Sequence, residues 1–127
     1  MQGNRGVPSA NALSGAEIVP FPQRRAPRQV GFERAELMRI LDLYGRMVAA
    51  GEWRDYAMSF ARDCATFAAF RRSAEVPQMR LEKRPDMRGR QGMWALFGAQ
   101  GQVLKRGHDL ANVLALIERR LVKAVDG

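Results

Sequence analysis

Tyr56-Ala-Met-Ser-Phe-Ala61 is where the chain changes its period. The large residues Tyr56, Met58 and Phe60 alternate with the small Ala57, Ser59 and Ala61. A two-residue repeat puts the large side chains on one side of an extended backbone, which is the pattern of a half-buried strand. Upstream, back to Phe32, apolar residues repeat every 3.6 positions instead. A helix therefore hands over to a sheet just before Tyr56.

That upstream helix carries its own start and stop. Leu37, Ile40, Leu41, Tyr44, Met47 and Val48 recur at i, i+3, i+4 and i+7 and predict a helix over about 34–50. Glu33 at the N-cap and Glu36 three residues later have the spacing of a capping box, although Glu caps less well than Asp or Ser. Phe32 and Leu37 stand where a hydrophobic staple would put them. Ala49-Ala-Gly51 ends the helix, because glycine suits the left-handed position after a last turn.

Downstream, four more strands follow. Arg62-Asp-Cys64 predicts a tight turn, and Ala65–Arg72 a second strand in which Phe67 and Ala69 alternate with Ala68 and Phe70. Pro77–Arg84 predicts a third, with Met79 and Leu81 on one face and Arg80, Glu82 and Arg84 on the other. After the polar loop Pro85–Gln91 come Met93–Gly98, the turn Ala99-Gln-Gly101 and a fifth strand Gln102–Arg106. Gly107 and His108 then lead into a second helix capped by Asp109, with the stripe Leu110, Val113, Leu114, Ile117, Leu121 and Ala124. Arg119, Arg120 and Lys123 suit the negative end of its dipole. The predicted fold class is α+β: a five-stranded antiparallel meander packed on one face by an N-terminal and a C-terminal helix.

Residues 1–30 are a different material. Four of the six prolines fall there, among Gly, Asn, Ser, Gln and Arg, and apolar residues are scattered. Such a segment buries too little surface to offset its ordering entropy, so a disordered basic tail is expected before one domain over 31–127. Of the 127 residues 46% are hydrophobic, enough for one ordinary core. The lone Cys64 excludes an internal disulfide and any cysteine-cluster metal site. No apolar run approaches the roughly 18 residues of a membrane span, and the N-terminus lacks the layout of a secretory signal. The expectation is a soluble, cytoplasmic protein with no membrane partner.

Charge supplies the main functional hint. The formal net charge is +8, with 18 Arg against 3 Lys. Between positions 71 and 106 stand Arg71, Arg72, Arg80, Lys83, Arg84, Arg88, Arg90, Lys105 and Arg106 against Glu75, Glu82 and Asp86, nine minus three, or +6. If both helices cover one face of the sheet, the other is expected to be open and basic. Open basic sheets with aromatic rings bind single strands, the cations tracking phosphates and the rings stacking on bases. Trp94 would be such a ring if it pointed away from the helices. The leading expectation is therefore a non-enzymatic module binding nucleic acid, RNA before DNA, through those nine cations. A solvated cationic face that merely keeps the protein soluble fits the same residues.

The alternative class is a protein-interaction or homodimerisation module, using a sheet edge or a surface around Trp53, Arg54, Asp55, Tyr56 and His108. The same residues also fit a structural role, with Trp53 and Tyr56 fixing the first helix to the sheet. His108-Asp109 is read as a capping turn, because neighbours in a turn seldom face one another and no nucleophile completes a relay. Glu33, Glu36 and Asp42 have no ligand spacing, and one histidine builds no histidine metal site. Cys64 near Arg62 fits a somewhat reactive thiol or an incidental cysteine. No enzyme, cofactor or small-molecule substrate is expected.

Leu43-Tyr-Gly-Arg46, Ala50-Gly-Glu-Trp-Arg-Asp-Tyr56, Phe70-Arg-Arg72, Glu75-Val-Pro77 and Leu104-Lys-Arg-Gly-His-Asp-Leu110 together resemble an uncharacterised alphaproteobacterial family, domain of unknown function 2794, over about residues 30–123. The resemblance implies a bacterial cytoplasmic protein with a variable N-terminal tail, and it implies no activity, ligand or catalytic residue. Met58 and Cys64 depart from the residues usual in that family, which argues against a role for Cys64.

Overall fold

A computed structural model describes residues 29–72 and 76–126. The expected tail, apart from Gln29 and Val30, lies outside the described residues, as does Glu75. The elements run α1 (Arg34–Ala49), β1 (Asp55–Phe60), β2 (Ala65–Phe70), β3 (Met79–Lys83), a short 3₁₀ turn (Pro85–Met87), β4 (Trp94–Gly98), β5 (Val103–Gly107) and α2 (Leu110–Asp126). The strands lie side by side in chain order, each antiparallel to the next. The fold is α+β, a five-stranded meander with two helices, as the periodicities predict.

The start of α1 forms as its sequence dictates. Glu36 Oε1 accepts the Glu33 backbone N–H at 2.8 Å, closing the capping box. Gly51 ends the helix at φ +79°, which a side chain would disfavour. At the other helix, Asp109 Oδ1 accepts the Ala111 N–H at 3.3 Å.

Register decides which side chains share a face. Phe67 is opposite Leu81, Leu81 opposite Leu96, and Ala69 opposite Met79. This row packs with Ile40, Leu43 and Met47 of α1 and with Leu110, Val113, Leu114, Ile117 and Leu121 of α2 in one core. Both helices therefore cover the same face. Phe67, Leu81 and Leu96 are fully buried there, and each such side chain contributes about 1.5–3 kcal/mol of transfer free energy.

The aromatics at the helix–sheet seam act as the sequence suggests for Trp53 and Tyr56. Tyr44 of α1 meets Tyr56 edge-on at 4.9 Å between centroids and lies 6.1 Å from Trp53, while Tyr56 stacks on Phe67 at 5.4 Å. Trp53 is buried in the process. At the opposite end of the sheet Phe32 stacks on Trp94, nearly parallel at 6.2 Å.

Candidate functional site

The open face of the sheet is what remains after the helices have taken the other. Alternation and register assign it Asp55, Ala57 and Ser59 from β1, and Thr66, Ala68 and Phe70 from β2. Arg80 and Glu82 come from β3, Ala95 and Phe97 from β4, and Val103 and Arg106 from β5. Most of these residues are small or apolar. Within the strands its charges are two carboxylates, Asp55 and Glu82, and two guanidiniums, Arg80 and Arg106, which sum to zero. Arg84, reaching Glu82 from just past β3, is set against Asp63. The face expected to be basic is a neutral one.

Even its central cation is neutralised. Arg80 Nη2 lies 3.2 Å from Glu82 Oε2, and its guanidinium carbon sits 4.2 Å from the centre of the Phe97 ring. Its Nε is buried without an acceptor. Glu82 also accepts Arg84 Nε at 3.1 Å, and that hydrogen bond is the main reason the Arg84 pKa is raised. Asp63 stands 3.7 Å from Arg84 on its other side.

The remaining candidate cations do not gather. Arg71 and Arg72 are exposed beyond the end of β2, where Arg71 pairs with Glu52 at 3.3 Å. Arg84, Arg88 and Arg90 lie beyond the opposite end of the strands, more than about 16 Å away at 3.3 Å per residue. Arg88 donates to Met93 Sδ at 3.4 Å. Lys105 is exposed opposite Leu96 on the outer strand, and half-buried Arg106 is opposite Ala95.

Lys83 and Trp94 correct two expectations. Lys83 is opposite Ala65 and Trp94 on the covered face and is only 6% exposed. Its ammonium donates to Glu36 Oε1 at 2.7 Å and to the Gly31 carbonyl at 2.9 Å, with the Trp94 ring 5.9 Å away. Strand parity put it there, since it follows Met79 and Leu81 at two-residue steps. Trp94, buried beneath Phe32, offers no ring to a base. Cys64 is likewise buried, its Sγ 3.6 Å from both the Ala65 carbonyl and Thr66 Oγ1.

Trp53, Arg54, Asp55 and Tyr56 form one corner of the sheet, but exposed His108 sits past the end of β5 at the opposite corner. Those five residues are not one surface. Asp55 Oδ1 accepts the Tyr56 N–H at 2.9 Å. Among the described residues no His, Cys, Asp or Glu cluster is arranged to hold a metal ion, and no helix is long and apolar enough to cross a membrane. A cleft of about 140 Å³ lies between Met47, Trp53, Met79, Ile117 and Leu121, rimmed by Glu52, Gln78 and Arg120.

Residues the charge pattern overlooked are Ala57, Ser59, Thr66, Ala68, Phe70, Ala95, Phe97 and Val103, the uncharged members of the open face. Their signal was present in the same alternation that defined the strands.

The model of a family described as "Protein of unknown function (DUF2794)" matches residues 30–114. No curated protein and no solved structure matches the chain.

Proposed function

The chain belongs to the DUF2794 family of proteins of unknown function, and we propose that it works as a non-enzymatic protein-interaction module. Its contact surface is the open sheet face. The observation that carries this reading is the make-up of that face: Ala57, Ser59, Thr66, Phe70, Phe97 and Val103 surround charges that cancel. A neutral surface of small and apolar side chains costs little to desolvate against a protein with an apolar surface of its own. Val103 is 52% exposed and Ala57 and Ser59 are also open to solvent, so the face is accessible along both its margins.

Nucleic acid, the leading expectation from charge, has weaker support in this arrangement. Phosphate tracking needs cations along one path. Here Arg71 and Arg72 stand at one end, Arg84, Arg88 and Arg90 at the other, and Lys83 is inside.

Photo-crosslinking in cells tests the reading, with a photoreactive residue at Phe97 or Val103 and a control at exposed Met38 on α1. Adducts to one recurrent protein are expected from the sheet positions, absent from the control and lost when Ala57→Arg is added. Adducts to RNA, or none from either sheet position, would overturn it. A titration with single-stranded RNA at low salt should show no saturable binding.

A further inference from the structure

The two edges of the sheet are built differently. β5 carries Lys105 and Arg106 and an irregularity in register opposite Leu96 and Phe97, the devices that keep an edge from pairing. β1 is less protected, its one charge being Asp55 at its first position. Tyr56–Phe60 contains no charge, no proline and no register shift, and both its large aromatics are exposed, Tyr56 at 40% and Phe60 at 43%. Natural sheets rarely leave a strand of this kind open, because its row of free N–H and C=O groups is a template for another strand.

The direction of those groups follows from the turn. Ala61 N–H donates to the Cys64 carbonyl at 2.8 Å, so Ala61 and residues two steps apart, Ser59, Ala57 and Asp55, bond toward β2. Tyr56, Met58 and Phe60 then direct their backbone groups outward. The Tyr56 N–H agrees, since it is satisfied by the Asp55 carboxylate rather than by the ladder.

We propose that β1 pairs antiparallel with β1 of a second copy of this chain, about a two-fold axis at Ala57, joining the two five-stranded sheets into one. Charge and occupancy select this register over its neighbour. Centring the pair on Met58 would set Arg54 against the partner's Arg62, a like-charge contact. It would also place the second strand beside Ala61, where the Val30 N–H already holds the Ala61 carbonyl at 2.8 Å. Centring it on Ala57 uses residues 54–60, which Val30 leaves clear. The ladder bonds come from Tyr56 and Met58, because the Arg54 N–H is already given to the Phe70 carbonyl at 2.8 Å. Tyr56 then lies opposite the partner's Met58, and the two exchange ladder bonds, as do their symmetry mates. Asp55 gives up the Tyr56 N–H and meets the hydroxyl of the partner's Ser59. Arg54 comes over the exposed ring of the partner's Phe60. No charge meets its own copy. The pairing leaves the open face free, so it goes beyond the interaction reading and can fail without it.

The axis itself provides the test. Two residues at position 57 face each other as a non-hydrogen-bonded pair, with Cα atoms about 4.5 Å apart, within disulfide range. In the full chain, Ala57→Cys is expected to give an intermolecular disulfide under mild oxidation, whereas Ser59→Cys, lying opposite Asp55, is expected to stay at the level of the parent chain with Cys64 alone. Sedimentation equilibrium should show a dimer, and Ala57→Lys, which sets two ammonium groups face to face, should return it to monomer and do so less completely at high salt. A parent chain that stays monomeric at high micromolar concentration would overturn the pairing and leave the face reading intact. Equal cross-linking from positions 57 and 59 would also overturn it.

Discussion

Lys83 Nζ lies 2.7 Å from Glu36 Oε1, and that same oxygen accepts the Glu33 N–H that opens α1. One carboxylate thus caps a helix and neutralises a cation on a strand 47 residues away. The Lys83 side chain is only 7% exposed, so water does little to balance the ammonium, whereas that of Glu36 is 16% exposed. The Gly31 carbonyl takes a second ammonium proton. The arrangement docks the beginning of α1 on the end of β3.

Glu36→Gln should therefore destabilise the protein by roughly 3 kcal/mol, since it removes the charge partner of a buried ammonium and weakens the cap. Lys83→Met keeps the stem's volume and removes the ammonium, leaving Glu36 close enough to the surface to be hydrated. It should cost less than Glu36→Gln. Urea unfolding of both variants decides the order; an equal or reversed pair of losses would mean the ammonium is not the costly group.

A second ion-pair cluster joins the two helices and should behave otherwise. Glu118 of α2 lies 3.0 Å from Arg46 and 3.7 Å from Arg39, and Arg46 also pairs with Asp42 at 3.2 Å. The Arg46 side chain is 46% exposed, so solvent screens the pair. Glu118→Gln is expected to cost no more than about 1 kcal/mol, and less in high salt. Urea midpoints at two ionic strengths would show it.

The elements were legible because each local signal agreed with the rest. The stripe from Leu37 to Val48, the alternation at Tyr56–Phe60 and the caps at Glu33 and Asp109 point to the elements seen. The charge pattern misled because it counted cations along the chain without asking which face each strand position takes. The step from Leu81 to Lys83 already placed that lysine with the core, and the step from Arg80 to Glu82 already placed opposite charges on one face. The burial of Trp94 was harder to read. It depends on Phe32 folding back from before α1 to stack on a ring about half the chain further on. That β1 and β5 are the two edges also required the strand order, which periodicity alone does not supply.

Gly92 is a backbone requirement that composition conceals. It is buried, holds φ at +108°, and a Cβ there would overlap the Gly107 carbonyl at the end of β5. The atoms in the way are main chain of a paired strand, so they cannot swing aside. Gly92→Ala should cost about 2 kcal/mol or more from backbone strain and overlap together. Gly107→Ala meets only the Val113 side chain at an ordinary 3.7 Å and should cost clearly less. Thermal unfolding of the two variants tests the contrast; similar losses would place the constraint somewhere other than the Gly92 backbone.

Tyr44 gives the fold a dependence on alkaline pH. Burial raises its phenol pKa above the ordinary value, and the negative charge of Asp55 and the neighbouring Tyr56 raise it further. A raised pKa means the folded state holds the phenolic proton more tightly than the unfolded chain does. The contribution is then fully present below the unfolded value of about 10 and is lost as pH climbs through the folded one. Stability should therefore fall as pH rises above about 10. Tyr44→Phe keeps the ring against Trp53, Tyr56 and Phe67 while removing the ionisation, so its stability should decline less over the same range. Urea unfolding across that range would measure the difference, and parallel pH profiles for the two proteins would assign the alkaline loss to another group.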